Sequence, residues 1–168
     1  MQAKPPEILV LQETDTPQPT LRGYKTYSSD LIHRTAVLVN KDLTAQEHLI
    51  ALSIAHTFIE IIPVKPGQRS LFMLNVHSPP NQLLTEINPL LAVAIKKAGP
   101  NPLVFLGDFN APHHSWGYPQ VPKMGTALLQ ATQHFQLVLW NDLTYPTRLG
   151  TSVSRDTIPD LTFVRHVN

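Results

Sequence analysis

The stretch 105-FLGDFNAPHHSWG-117 governs how the rest of the chain is read. A short apolar run stops at a glycine, and Asp108, Asn110, His113, His114 and Trp116 follow at once. Side chains two apart lie on the same face of an extended segment. Asp108 and Asn110 therefore point together, while Phe109 points the other way, into a core. With 103-LVFLGDF-109 as a short buried strand, the polar pair sits at a strand end. A metal site, a catalytic strand end and an ordinary polar loop all fit that placement.

Working outward, the same pattern recurs. Residues 7-EILVLQE-13 read as a buried strand, and alternation places Leu9, Leu11 and Glu13 on one side. Asn75 and His77 share a face in 71-LFMLNVHSPP-80, a strand stopped by its Pro pair. Asp160 opens the strand 160-DLTFVRH-166. Four strands thus end or begin in polar residues at one edge, and ligand sites of open sheets commonly gather at strand ends.

The connecting segments complete the outline. Residues 24–30 and 33–41 form a strand pair with a short turn. Residues 49-LIALSIAHTFIEIIP-63 form a long strand, and 136-QLVLWND-142 another. Asn88-Pro89 starts a helix, with Asn as cap and Pro at the first helical position. Lys96 and Lys97 favour its negative end and Gly99 terminates it. Met124, Ala127, Leu128, Ala131 and Phe135 are spaced for a second amphipathic helix. There is no internal repeat and no dividing linker, so residues 1–168 read as one domain. Strands outnumber helices, which predicts the α/β (α+β) class: a mixed sheet, or two packed sheets, with helices outside.

Composition narrows the function. Hydrophobic residues make up 42% of the 168, enough for a real core and too many for a disordered chain. A net charge of +1 provides no global field toward nucleic acid, so such binding needs a local patch. Without Cys there are no disulfides and no thiolate metal sites. The first residues lack the pattern of a signal peptide, and the longest apolar segment carries His56 and Glu60. The chain reads as soluble, with no membrane partner.

The donors at the strand ends are hard. Glu13, Asp108, Asn110 and Asp160 offer oxygen, which suits Mg²⁺ (or Mn²⁺) completed by waters and substrate phosphate. Such an ion assists phosphoester hydrolysis. The local motifs strengthen this reading. Gln12-Glu13 after a strand, 76-VHSPP-80, 107-GDFNAPHHSWG-117 and 159-PDLTF-163 occur in this order. Together they resemble the endonuclease/exonuclease/phosphatase superfamily. With Asn141-Asp142 and 146-PTRLGTS-152 they are more similar still to the endonuclease domain of non-LTR (LINE-type) retrotransposons.

That resemblance implies a DNase I-like two-sheet β-sandwich flanked by helices. It implies Mg²⁺-dependent nicking of DNA that leaves a 3′-hydroxyl to prime reverse transcription. Glu13 matches the family's metal-binding glutamate. Asp108 matches the aspartate that positions the nucleophilic water, Asn110 the asparagine that holds phosphate, and Asp160 an acidic residue that shapes the site. The implied partners are DNA and a fused reverse transcriptase, and the implied place of action is intracellular, in the nucleus. Three departures stand out. The chain holds no strand before that of Glu13, and no Ser-Asp-His motif before Asn168; this predicts a domain lacking the first and last family strands. His77 stands where Tyr is usual; a His there can still donate to phosphate.

Other polar residues carry two readings each. His113 and His114 diverge as neighbours, so they suit one metal poorly; they shape the loop or touch phosphate. Trp116 anchors that loop. Arg148 and Arg155 are either solvated or contact a DNA backbone. A small-phosphate hydrolase is a weaker fit to these signatures. The competing function is a catalytically dead, transposon-derived remnant that at most binds nucleic acid or protein.

Overall fold

The computed structural model describes residues 4–28, 32–80 and 85–167. A three-stranded antiparallel sheet has the order β1-β3-β2, from β1 (Ile8–Gln12), β2 (Tyr24–Tyr27) and β3 (Thr35–Asn40). Residues 29–31, the end of the expected 24–30 strand and the start of the turn after it, lie outside the described residues. A second sheet holds β4 (Thr44–Glu47), β5 (Ala55–Ile62), β6 (Leu71–His77), β7 (Leu103–Asp108), β8 (Val138–Leu139) and β9 (Asp160–Arg165), in the order β4-β5-β6-β7-β9-β8. It is mixed, because β6 and β7 run parallel and its other neighbours antiparallel. A parallel neighbour requires a crossover, and α1 (Ile87–Ala98) makes it. A second helix, α2 (Lys123–His134), follows the loop after β7. This is the expected two-sheet α+β sandwich with helices outside. Among the described residues no helix is long and apolar enough to cross a membrane.

Strand alternation sorts the core into two layers. Phe72, Leu74 and Val76 of β6, Leu103 and Phe105 of β7, and Leu161 and Phe163 of β9 pack beneath the helices with Leu90, Leu91, Ala94 and Leu128. Phe109 joins them with no exposed surface, its ring 4.9 Å from that of Phe105. The opposite faces, with Met73, Ile59, Val104 and Leu106, meet Val37, Val39, Ile8 and Val10 between the sheets. Each fully buried Phe contributes roughly 1.5–3 kcal/mol by area.

Toward the site, the layer between the sheets turns polar. Asn75 has no exposed surface. Its amide donates to Leu11 O (2.8 Å) on β1 and to Ala36 O (3.2 Å) on β3, and its oxygen accepts from the Gln12 amide (2.7 Å). Beside it, the hydroxyls of Thr35 and Thr57 are 2.8 Å apart. One buried side chain on β6 thus fastens both strands it faces in the other sheet.

Two local expectations are corrected, and one strand joins the sheet unannounced. Residues 49–54 are not strand, and β5 begins only at Ala55. Ile50 and Leu52 instead pack against the core as connection. The antiparallel partner of β5 is β4, whose sequence TAQE has no apolar alternation to reveal it. The first helix is not capped by Asn88: it starts at Ile87, with Glu86 in the cap position. The Glu86 carboxylate accepts from Ser53 N, Ser53 Oγ and Ile54 N instead. Pro89 still falls in the first turn, where a missing N–H removes no helical bond. The expected end is observed: Gly99 at φ 58° donates its N–H to Ile95 O.

Replacing Asn75 with Leu should cost about 3 kcal/mol, because buried carbonyls and the Gln12 amide lose their partner. Urea denaturation checks this; a loss below about 1 kcal/mol would mean that the sheets are held by apolar packing alone.

Candidate active site

Three neighbouring strands bring the site together by register alone. His77 at the end of β6 pairs with Asp108 at the end of β7, and Asp108 pairs with Asp160 at the start of β9. All three lie on the faces turned toward the smaller sheet. Approach between β6 and β7 is close at the turn from strand to loop. Gly107 has φ 151°, and a Cβ there would fall 1.8 Å from Val76 O, so only glycine fits.

Glu13 reaches the same place by a different route. Simple alternation would leave it beside Leu9 and Leu11, away from the inter-sheet layer that takes Ile8, Val10 and the Gln12 amide. The strand stops at Gln12, however, and Glu13 has φ 52°. This left-handed turn redirects the side chain. A carboxylate oxygen of Glu13, a ring nitrogen of His77 and a carboxylate oxygen of Asp108 all lie within 4.8 Å of one another. Glu13 is exposed, Asp108 partly buried, and His77 only 2% exposed.

Asn110 also departs from simple alternation. It has φ 44°, a conformation Asn tolerates well. Its backbone N–H donates to Asp108 Oδ1 (3.2 Å), and its side-chain amide donates to Ser78 O (3.0 Å). Ser78 N–H in turn donates to Asp108 O (2.9 Å), so the ends of β6 and β7 are stitched together. Asp160 is held by Asn141, whose amide bridges Asp160 O (3.0 Å) and Thr162 N (2.7 Å) like a short piece of strand. Asn141 was marked by motif alone; nothing in its local sequence signals this bracing.

Electrostatics single out Asp108. Burial first, then the charge of Asp160, raises its carboxyl above the usual range, with a small addition from Glu13. The Asn110 N–H and His77 oppose the shift. Carboxylates that repel one another across a cleft fit a cation. The donor chemistry agrees: two carboxylates and an imidazole converge, and His77 Nδ1 is buried with no hydrogen-bond partner among the described residues. The carboxylates of Glu13 and Asp108 would hold the ion.

The other predicted residues lie around this centre. His113 Nδ1 accepts from Ser115 N (3.0 Å), capping the 3₁₀ turn His114–Trp116. His114 Nδ1 is 2.7 Å from Tyr118 O. Both rings are thereby engaged in shaping the loop, outside the Glu13 cluster. Trp116 is 1% exposed, and its indole N–H donates to Ala111 O (2.9 Å), which anchors the loop. Residues 147–158 form a hairpin, bridged at Arg148–Thr157 and Thr151–Ser154. Exposed Arg148 lines a cleft of about 340 Å³ together with Asn110 and Tyr118. Arg155 lines a separate cavity of about 250 Å³ with Trp116 and Ile158. Tyr118, which sequence patterns did not single out, is held partly buried by hydrogen bonds to Thr157 and Ile158; burial raises its phenol above the ordinary range.

A two-sheet sandwich with acidic and amide groups gathered at one end is the architecture of endonuclease/exonuclease/phosphatase proteins. Residues 71–168, more than half of the chain, match the family described as endonuclease-reverse transcriptase, and the chain belongs to that family. No curated protein matches it in sequence. Among solved structures, it is similar to the endonuclease domain of TRAS1, a telomere-specific non-LTR retrotransposon, with a TM-score of 0.75 at 19% identity over 94% of this chain and 72% of that one. It is also similar to an endonuclease/exonuclease/phosphatase family protein from Leptotrichia buccalis C-1013-b (TM-score 0.53, 9% identity, 94% and 75% covered). A third is TDP2 from C. elegans (TM-score 0.51, 18% identity, 96% and 55% covered). These structural likenesses establish the fold.

Folding raises the Asp108 carboxyl, so its ionisation weakens the folded state. The associated stability is intact below the unfolded value of about 4 and is lost as pH rises through the raised folded value. In EDTA, Asp108→Asn should therefore melt at a higher temperature than the parent protein at pH 7, with the gap closing at and below about pH 4. Thermal melts across that range check it; a gap independent of pH would refute the raised carboxyl.

Proposed function

We propose that this chain is a divalent-metal-dependent endonuclease that hydrolyses a DNA phosphodiester. The supporting observation is the convergence of Glu13, His77 and Asp108 beside Asp160 and Asn110. Family membership and the likeness to a retrotransposon endonuclease domain favour DNA as substrate and target-site nicking as the reaction. In that setting the domain would be joined to a reverse transcriptase and would act in the nucleus.

Each side chain then has a task. Glu13 holds the cation, Mg²⁺ or Mn²⁺, with Asp108 and His77 beside it. When bound, such an ion neutralises charge on the phosphate and steadies the departing oxygen. Asp108, with its raised carboxyl, is suited to take a proton from the attacking water. The water oxygen bonds to phosphorus as the P–O3′ bond breaks. The 3′ oxygen leaves with the bonding electron pair and takes a proton from solvent, which gives the hydroxyl that a polymerase extends. One Asn110 amide hydrogen is engaged with Ser78 O, leaving the other for a phosphate oxygen. Asp160, opposite Asp108 in register, raises the Asp108 carboxyl through its charge. Arg148, which lines the cleft beside Asn110, and Arg155 of the same hairpin present positive charge to the DNA backbone.

The test is nicking of supercoiled plasmid by the purified chain. Nicking should require Mg²⁺ or Mn²⁺ and stop in EDTA. Glu13→Ala, Asp108→Ala and Asn110→Ala should each reduce it by about 100-fold or more. Arg148→Ala should weaken DNA affinity and lower the salt slope by about one unit. Absence of nicking at high protein, with DNA or protein binding retained, would overturn the enzyme in favour of a binding-only remnant.

A further inference from the structure

His77 is an imidazole enclosed among oxygen donors, and its burial leaves Nδ1 without a partner among the described residues. A buried polar atom left unsatisfied costs about 1–3 kcal/mol unless something completes it. No rotation of the strand can relieve it. Ala55 of β5 and Asp108 of β7 flank His77 in register, and Asn75, two residues earlier on the same face, is pinned to the other sheet.

Resting on the metal-dependent reading above, we propose that His77 is itself a ligand of the cation, together with Glu13 and Asp108. The site then selects a first-row transition ion such as Mn²⁺ over Mg²⁺. The geometry is close to what ligation needs. Donors about 2.1 Å from one ion lie about 3.0–4.2 Å from each other. The observed spread of up to 4.8 Å closes by about half an ångström of side-chain movement, which exposed Glu13 can supply. The chemistry gives the selectivity. Mg²⁺ binds through hard oxygen ligands, retains several waters and dehydrates reluctantly. An imidazole beside two carboxylates suits ions that accept both nitrogen and oxygen. Neutral His77 must serve, because a protonated ring offers no lone pair.

A second role competes for the same ring. Protonated, His77 would instead pair with the Asp108 carboxylate beside it on the neighbouring strand. The two roles differ in what the ring nitrogen touches.

The test loads the purified full chain with Mn²⁺ and records pulsed EPR for nitrogen coupling. One directly bound ¹⁴N is expected in the parent protein. Mn²⁺ should bind at least about 10-fold more tightly than Mg²⁺ in competition titrations. His77→Gln should abolish the nitrogen signal and weaken Mn²⁺ by about 10-fold or more while changing Mg²⁺ by less than about 3-fold. Near-UV circular dichroism establishes that this variant folds, and the spectrum of the unmutated protein is decisive whether or not it does. Mn²⁺ bound in a Glu13-dependent manner with no nitrogen coupling would overturn the ligand role of His77 and leave the nuclease reading standing. Nitrogen-coupled Mn²⁺ without plasmid nicking would do the reverse. Failure of both ions to bind would overturn both.

Discussion

The buried amide of Asn75 is the point on which the rest of this structure depends. Two sheets that meet only through apolar side chains can slide, because the hydrophobic effect has no direction. A hydrogen bond does have direction. Asn75 reaches from β6 to backbone carbonyls on β1 and β3 and also receives the Gln12 amide. These bonds lie one residue before Glu13 in the chain and two before His77. They set the distance between a carboxylate carried by one sheet and an imidazole carried by the other. With the pin in place, β6, β7 and β9 need only their ordinary register to set His77, Asp108 and Asp160 side by side.

The site works against the stability of the scaffold that holds it. Glu13 sits at positive φ, a conformation that is unfavourable for a residue with a Cβ. Asp108 is forced to share a half-buried cleft with other carboxylates. The His77 ring is buried with a nitrogen that has no partner among the described residues. Such groups persist because the surrounding contacts over-determine them. The packed rings of Phe105, Phe109 and Phe163 hold β7 and β9 from beneath, and Ser78, Asn110 and Asn141 tie the strand ends from above. The strain is concentrated where charge and open valence have a use.

Much of this was legible in the residues themselves, and for identifiable reasons. The GDFN run told where β7 stops, and alternation sent Phe109 into the core. Polar endings on other strands told which residues would meet. The fold class followed from the balance of strands and helices, and ordered motifs pointed to the family. The misses share a cause. Strand β4 has no internal pattern and exists only because β5 offers it an edge. Glu86 gave up the helix cap because Ser53 and Ile54, distant in sequence, present donors to it. Glu13 reached the cleft by a turn that alternation does not predict.

Local chemistry was enough to specify which side chains could serve. Periodicity, glycine and proline placement, and hard oxygen donors at strand ends depend only on near neighbours in the chain. Distances between those donors, their burial and the charge each feels arise from strands far apart in sequence. His77, Asp108 and Asp160 become neighbours only through the pairing of β6, β7 and β9, and Glu13 joins them only because an amide spans the two sheets. No local pattern encodes an inter-sheet hydrogen bond. For that reason the shift at Asp108 and the buried ring nitrogen of His77 emerged only once the two sheets were packed together.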